Sequence, residues 1–173
     1  EQAASVTPGF RIFELGRLKD GGCVTAVELT AGDFKAGFIN YGARLLYMHM
    51  NDRRGHEGNV SLRYDGVYGY EKDSAYMGAT IGRIANRIAD GTFELDGKEH
   101  NLPVNERSGN HLHGGPQGLH TRLWQMRILR FSSGPDRIGV EFTTEDADGF
   151  QGYPGRTVFK ARYSLSTHGE VAT

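Results

Sequence analysis

The sequence predicts an all-β protein, and three observations carry that prediction. Glycine is in excess, 25 among 173 residues, and it falls between short apolar runs, as a chain with many tight turns requires. Several segments alternate apolar and polar residues with a period of two. Between two of the strand-like runs stands Asp96-Gly97, a two-residue turn that matches the twist of paired strands.

Taken in order, residues 10–15 and 23–29 have β character, and Leu18-Lys-Asp-Gly-Gly22 between them is turn chemistry, since Asp and Gly tolerate positive φ. Residues 34–41 form an apolar run that ends at Gly42. Residues 45–50 form another, which stops at the turn Asn51-Asp-Arg-Arg-Gly55. A short strand is expected over 60–64 and a single helical turn within 68–76. Ile81, Ile84, Ala85 and Ile88 fall at helical spacing, with Gly91 placed as a C-terminal cap, so this segment reads equally as a short helix or an irregular loop. Residues 92–102 make the hairpin. Trp124, Met126 and Ile128 alternate with Gln125 and Arg127. Ile138, Val140 and Phe142 alternate with Gly139, Glu141 and Thr143. Phe159, Ala161, Tyr163 and Leu165 alternate with Lys160, Arg162 and Ser164. Each pattern puts one face in a core and the other in water. Thr167-His-Gly169 reads as a turn and 170–173 as the start of a returning strand, which leaves a sheet edge expecting a partner.

Composition narrows the function. The length suits one domain with a real core, with no internal boundary or repeat. Twenty basic and 21 acidic residues, spread evenly for a net charge of −1, form no basic stripe for nucleic acid. No apolar run approaches membrane-spanning length. Glu1 opens the chain with no apolar signal core after it, so no secretory address is expected. Cys23, the single cysteine, excludes an internal disulfide framework and a cysteine zinc site and fits a reducing cytoplasm. Asn59-Val-Ser61 matches a glycosylation triplet that matters only in a secreted protein.

Two blocks flank the hairpin and hold most of the candidate chemistry: Gly82-Arg-Ile-Ala-Asn-Arg87 and Asn110-His-Leu-His-Gly-Gly115. Arg87 brings a rigid fork of donors, and Asn86 brings donor and acceptor together, both suited to hydroxyl groups. The plain alternative pairs Arg87 with Asp90 or Glu94 on a surface. His111 and His113 stand two apart and would share a face in a strand; with His120 they suggest a metal site, but the block lacks the carboxylate expected of a cupin-like His-x-His site, no second ligand cluster stands out, and no metal is expected. His113 can instead act through hydrogen bonding or proton transfer, or be held by its neighbours in a loop. Gly114-Gly115 after it admits close approach by a ligand or another backbone. The glycines at 78 and 82 match neither nucleotide fingerprint, and no nucleophile elbow occurs. The acidic, glycine-rich loop 146–155 lacks the ligand order of a calcium hand and reads as a structural turn.

The chain resembles the aldose 1-epimerase (galactose mutarotase) family. The matching blocks are Gly78-Ala-Thr-Ile-Gly-Arg-Ile-Ala-Asn-Arg-Ile88, the Gly91-Thr-Phe-Glu-Leu-Asp-Gly97 hairpin, Leu112-His-Gly-Gly115 with Gly118 and Trp124, and Gly152-Tyr-Pro-Gly155. Asn40-Tyr-Gly-Ala43 and the stretch from Tyr64-Asp65 to Gly69-Tyr70 also agree. The resemblance implies a large twisted β-sandwich, the mutarotase-like supersandwich, of which this chain is the N-terminal part. It implies acid–base interconversion of the α and β anomers of hexoses such as galactose and glucose, without metal or organic cofactor. It places Asn86, Arg87 and His113 among sugar-contacting residues, His113 with a hydrogen-bonding and acid role. The family's second histidine, sugar-binding aspartate and glutamate base would follow Thr173, and His168 does not match that histidine's setting. Two other readings stand beside a mutarotase that needs the rest of its sequence: a non-catalytic carbohydrate-binding module, and an interaction protein that pairs through its open sheet edge with another copy or a partner.

Overall fold

The computed structural model describes residues 7–132, 134, 136–168 and 171–172. Glu1 lies outside these, as do Gly169, Glu170 and Thr173 of the expected final turn and strand. The described residues form an all-β sandwich. Its first sheet runs in sequence order through β1 (Gly9–Arg17), β2 (Cys23–Ala31), β3 (Phe34–Ile39), β4 (Arg44–Asn51) and β5 (Glu57–Asn59), all antiparallel. One helical turn, α1 (Val67–Glu71), follows. Two small ladders come next: β6 (Arg87–Ile88) with β9 (His111–Leu112), and the hairpin β7 (Thr92–Leu95) with β8 (Lys98–Asn101). The second sheet orders β10 (Gln125–Arg130), β11 (Arg137–Asp146), β12 (Thr157–Ser166) and β13 (Val171–Ala172).

The two sheets meet through Val27, Leu29, Ala31, Ala36 and Phe38 on one side and Ile138, Val140, Phe142 and Leu165 on the other, with Leu119 and Trp124 closing one end. Phe38 stacks on Tyr163 with ring centroids 4.5 Å apart. The opposite face of the first sheet is also covered: Val24, Ala26, Ile39 and Leu46 pack under Val67 and Tyr70 of α1. Burial on both faces explains why the apolar residues of β2 do not keep strict alternation: Val24 and Ala26 face one layer, and Val27, Leu29 and Ala31 the other. The approach to the second sheet is sewn to the first, since Trp124 N–H donates to Asn40 O (2.8 Å) and Gly42 N–H donates to Arg122 O (2.7 Å).

Two expectations are corrected here. Residues 60–64 are irregular, and the strand lies just before them at Glu57–Asn59. The Asn59 side chain accepts from Met48 N–H (3.1 Å) and Ser61 N–H (3.1 Å), which turns the chain off the ladder and leaves Val60 and Leu62 exposed. The outer face of β11 is not open to water either. Glu141 is buried because Arg127 (2.7 Å) and Arg162 (2.5 Å), on the strands either side, lie across it; these two donors hold its carboxyl down to about 2.

Candidate functional site

The segment at helical spacing is a loop that ends in β6. Its backbone groups are satisfied by neighbours instead of by a helical ladder. Gly78 O accepts from Leu45 N–H, Thr80 N–H donates to Gly42 O, and Gly82 O accepts from Leu119 N–H. Four donors of Arg83 anchor its middle: Nε reaches Asp146 Oδ2 (2.8 Å), Nη1 reaches Pro154 O (2.9 Å), and Nη2 reaches Gly155 O (2.9 Å) and Ala147 O (3.4 Å). Arg122 Nη1 takes the other oxygen of Asp146, so one buried carboxylate joins two segments.

Beyond this anchor the paired register Arg87↔Leu112 and Ile88↔His111 brings the two polar blocks side by side. Asn86 and His113 face each other one step past the ladder, both at positive φ (63° and 51°), a region that Asn and His enter more readily than most residues. They bond reciprocally. His113 N–H donates to Asn86 O (2.9 Å), and Asn86 N–H donates to His113 Nδ1 (2.9 Å). A backbone N–H can only donate, so Nδ1 is the acceptor and the neutral ring carries its proton on Nε2. His113 therefore presents an N–H donor outward. The Tyr76 ring packs edge-on against it, centroids 4.6 Å apart, and also against buried His120 at 4.8 Å.

Arg87 does pair with a carboxylate, but with neither Asp90 nor Glu94. Its Nε donates to Glu106 Oε1 (2.9 Å) and Oε2 (2.8 Å), its Nη2 to Oε1, and its Nη1 to Asn86 Oδ1 (3.2 Å). Arg87, then Ser108 Oγ–H (2.7 Å) and Asn110 Nδ2–H (3.2 Å), hold the Glu106 carboxyl down to about 2. Asn86, Arg87 and His113 are thus one hydrogen-bonded unit, linked through Asn86.

His111 and His113 do not share a face. His111 is fully buried: Nδ1 donates to Pro103 O (2.8 Å) and Nε2 accepts from Tyr153 Oη (2.8 Å), whose own hydroxyl burial pushes up to about 12. The left-handed backbone at His113 breaks the strand periodicity and turns the second imidazole away. Among the described residues no three His, Cys, Asp or Glu side chains gather as metal ligands. The glycines after His113 admit another backbone: a Cβ on Gly114 (φ 83°) would stand 1.6 Å from Gly82 O. Loop 146–155 is a turn, and it also buttresses this motif, since Gln151 Nε2–H donates to Gly114 O (2.7 Å) and Gln151 Oε1 accepts from Gln117 N–H (3.0 Å).

Sequence reasoning missed Glu106, Tyr76 and the Gln151 and Tyr153 supports. Glu106 had one usable signal, a carboxylate in a polar loop directly before the histidine block. Tyr76 and His120 are held from below by buried Arg44, which donates to Asp73 Oδ2 (2.5 Å), Met77 O (3.0 Å) and His120 O (3.1 Å). Burial pushes the Asp73 carboxyl up, but Arg44, Ala75 N–H and the Tyr64 hydroxyl outweigh it and leave it lowered. On the other side of the loop an open apolar groove of about 390 Å³ is lined by Ile84, Ile88, Phe93, Leu95, Tyr153 and Pro154 with the stem of Arg83; Asn86, Arg87 and His113 are not among its walls.

Fold and site define an all-β sandwich protein with a polar, hydrogen-bonded cluster built on the loops between its sheets. The family model described as aldose 1-epimerase matches residues 25–173, and the chain belongs to that family. It is 38% identical over 144 residues to galactose mutarotase of Bos taurus, an overlap of 83% of this chain and 40% of that protein. It is 37% identical over 145 residues to galactose mutarotase of Homo sapiens, covering 84% of this chain and 40% of the human protein. Its structure is similar to the crystal structure of galactose 1-epimerase from Lactobacillus acidophilus NCFM, with a TM-score of 0.76 and 29% identity over 92% of this chain and 45% of that one. The chain therefore spans about two fifths of the length of the curated relatives it matches.

Proposed function

We propose that this chain carries one wall of a mutarotase site, with Asn86, Arg87 and His113 in contact with the sugar. The observation that supports the reading best is the reciprocal Asn86–His113 pairing, which fixes an outward Nε2–H donor one residue from a clamped guanidinium. In anomer exchange the anomeric O1–H proton passes to a base. The electron pair that the lost proton leaves on O1 forms the C1=O1 double bond of the aldehyde, the C1–O5 bond breaks with its electrons going to O5, and O5 takes a proton. Rotation about C1–C2 and reclosure give the other anomer. His113 Nε2–H donates to the oxygen that gains charge, and Arg87 and Asn86 hold the hydroxyl groups; each positioned proton transfer is worth roughly a hundred- to ten-thousandfold. The base is assigned to no residue of this chain. The proposal extends to neutral hexoses such as galactose and glucose as ligands, no cofactor, one domain without internal boundary, and a cytoplasmic location. In support of the last, Cys23 is a free thiol.

The test is titration with galactose followed by NMR, beside polarimetry of α-galactose with the chain alone and joined to the C-terminal part of a full-length relative. Saturable binding is expected, weakened roughly ten- to a hundredfold by Arg87→Ala, as the loss of charge-assisted hydrogen bonds implies. Anomerisation is expected from the joined protein and not from the chain alone. Binding with no anomerisation in either form replaces the reading with that of a sugar-binding module, and absence of saturable binding overturns it.

A further inference from the structure

We propose that Glu106 is a specificity-determining residue: it fixes the orientation of Arg87 and cancels its charge, so that the site selects uncharged sugars over sugar acids and sugar phosphates. The inference rests on the reading of Arg87 as a sugar contact.

The geometry supports both roles. Arg87 has five N–H donors. Nε and one hydrogen of Nη2 are taken by Glu106, and one hydrogen of Nη1 is taken by Asn86 Oδ1. One N–H on each terminal nitrogen remains for a ligand. The Arg87 side chain is 51% exposed, so packing alone does not hold it, and the paired carboxylate supplies the orientation. Glu106 is itself fixed within a closed ring: Ser108 Oγ–H donates to Glu106 Oε2 (2.7 Å), and Asn110 Nδ2 donates both to Glu106 Oε2 (3.2 Å) and to Ser108 Oγ (2.9 Å). The turn beneath it is closed by Gly109 N–H to Glu106 O (3.1 Å) and Asn105 N–H to Asn110 O (3.2 Å).

The electrostatic consequence follows from the same contact. A lone guanidinium attracts carboxylates and phosphates strongly. Here a full negative charge sits on its other edge and stays ionised at any physiological pH. An approaching anion then meets a pair with no net charge, whereas a neutral polyol still finds two free donors. At about 7 Å, one uncancelled unit charge changes the affinity for a monoanion by roughly three- to fiftyfold, between water-like and protein-surface dielectric values.

The test compares galactose with galacturonate by NMR titration of the parent chain, Glu106→Gln, and the double variant Arg87→Ala/Glu106→Gln. The parent is expected to prefer galactose. Glu106→Gln is expected to shift the ratio of the two dissociation constants towards galacturonate by three- to fiftyfold, and the double variant is expected to show no such gain. Glu106→Asp, which keeps the charge, is expected to retain the parental preference. Glu106→Ser serves in place of the glutamine variant if that one does not fold, with the same expectation. An unchanged ratio in the charge-removed variant, or an equal shift when Arg87 is absent, overturns the inference and leaves the sugar-facing wall standing. A parent chain that binds neither sugar overturns both.

Discussion

Asn86 and His113 show how an imidazole is oriented without a carboxylate partner. Each residue gives its backbone N–H to the other, and these two hydrogen bonds hold both in the left-handed region. His120, one shell inward, behaves differently. Burial and then the nearby Arg44 push its imidazole down to about 4, and its Nδ1 has no hydrogen-bond partner. The unfolded chain protonates this histidine near its ordinary value, so its contribution to stability is full above about pH 6.5 and is lost as pH falls from there towards 4. At pH 5 the loss is about 2 kcal/mol relative to pH 7. Urea unfolding at the two pH values is expected to show this drop, and His120→Leu is expected to remove most of it. Residue types revealed Asn86, Arg87 and His113 as candidates. They could not reveal that Arg87 would find Glu106, 19 residues away in the chain, because that distance closes only when β6 pairs with β9.

At the scale of elements, legibility followed how local each cause is. The hairpin was readable because Asp96 (φ 53°) and Gly97 (φ 73°) carry the turn in two residues. The loop that ends in β6 was not, since its isoleucines keep helical spacing while its conformation is set by partners far away, from Gly42 to Asp146. The outer face of β11 misled for a related reason: alternation identifies the two faces, but not what flanking arginines do with the polar one. The same contrast predicts the response of two glycines. A Cβ at Gly97 meets nothing within 4 Å, so Gly97→Ala is expected to cost about 1 kcal/mol, the price of its left-handed backbone. A Cβ at Gly152 (φ 84°) would lie 2.0 Å from Asn101 O, so Gly152→Ala is expected to cost more than about 3 kcal/mol and to displace loop 146–155 from the hairpin. Thermal melts of the two variants side by side check the difference.

Over the whole molecule, stability resides in the layer between the two sheets. Phe142 is fully buried there, against the Tyr163 ring at 6.1 Å, and Phe142→Ala is expected to lower the unfolding free energy by about 3–5 kcal/mol in urea titrations. The polar cluster, in contrast, rests on loops whose anchors come from both sheets. One phenol makes the connection concrete. Tyr163, on β12, stacks on Phe38 across the interior, and its hydroxyl donates to Ala43 O (2.9 Å) and meets Thr80 Oγ1 (3.3 Å), two residues ahead of Gly82. That side chain acts as a feeler gauge. Any repacking that widens or narrows the gap between the layers moves its tip, and the tip carries the start of the Asn86–Arg87 segment with it. Changes in the interior and changes in the Asn86–Arg87 segment are therefore not independent in this protein.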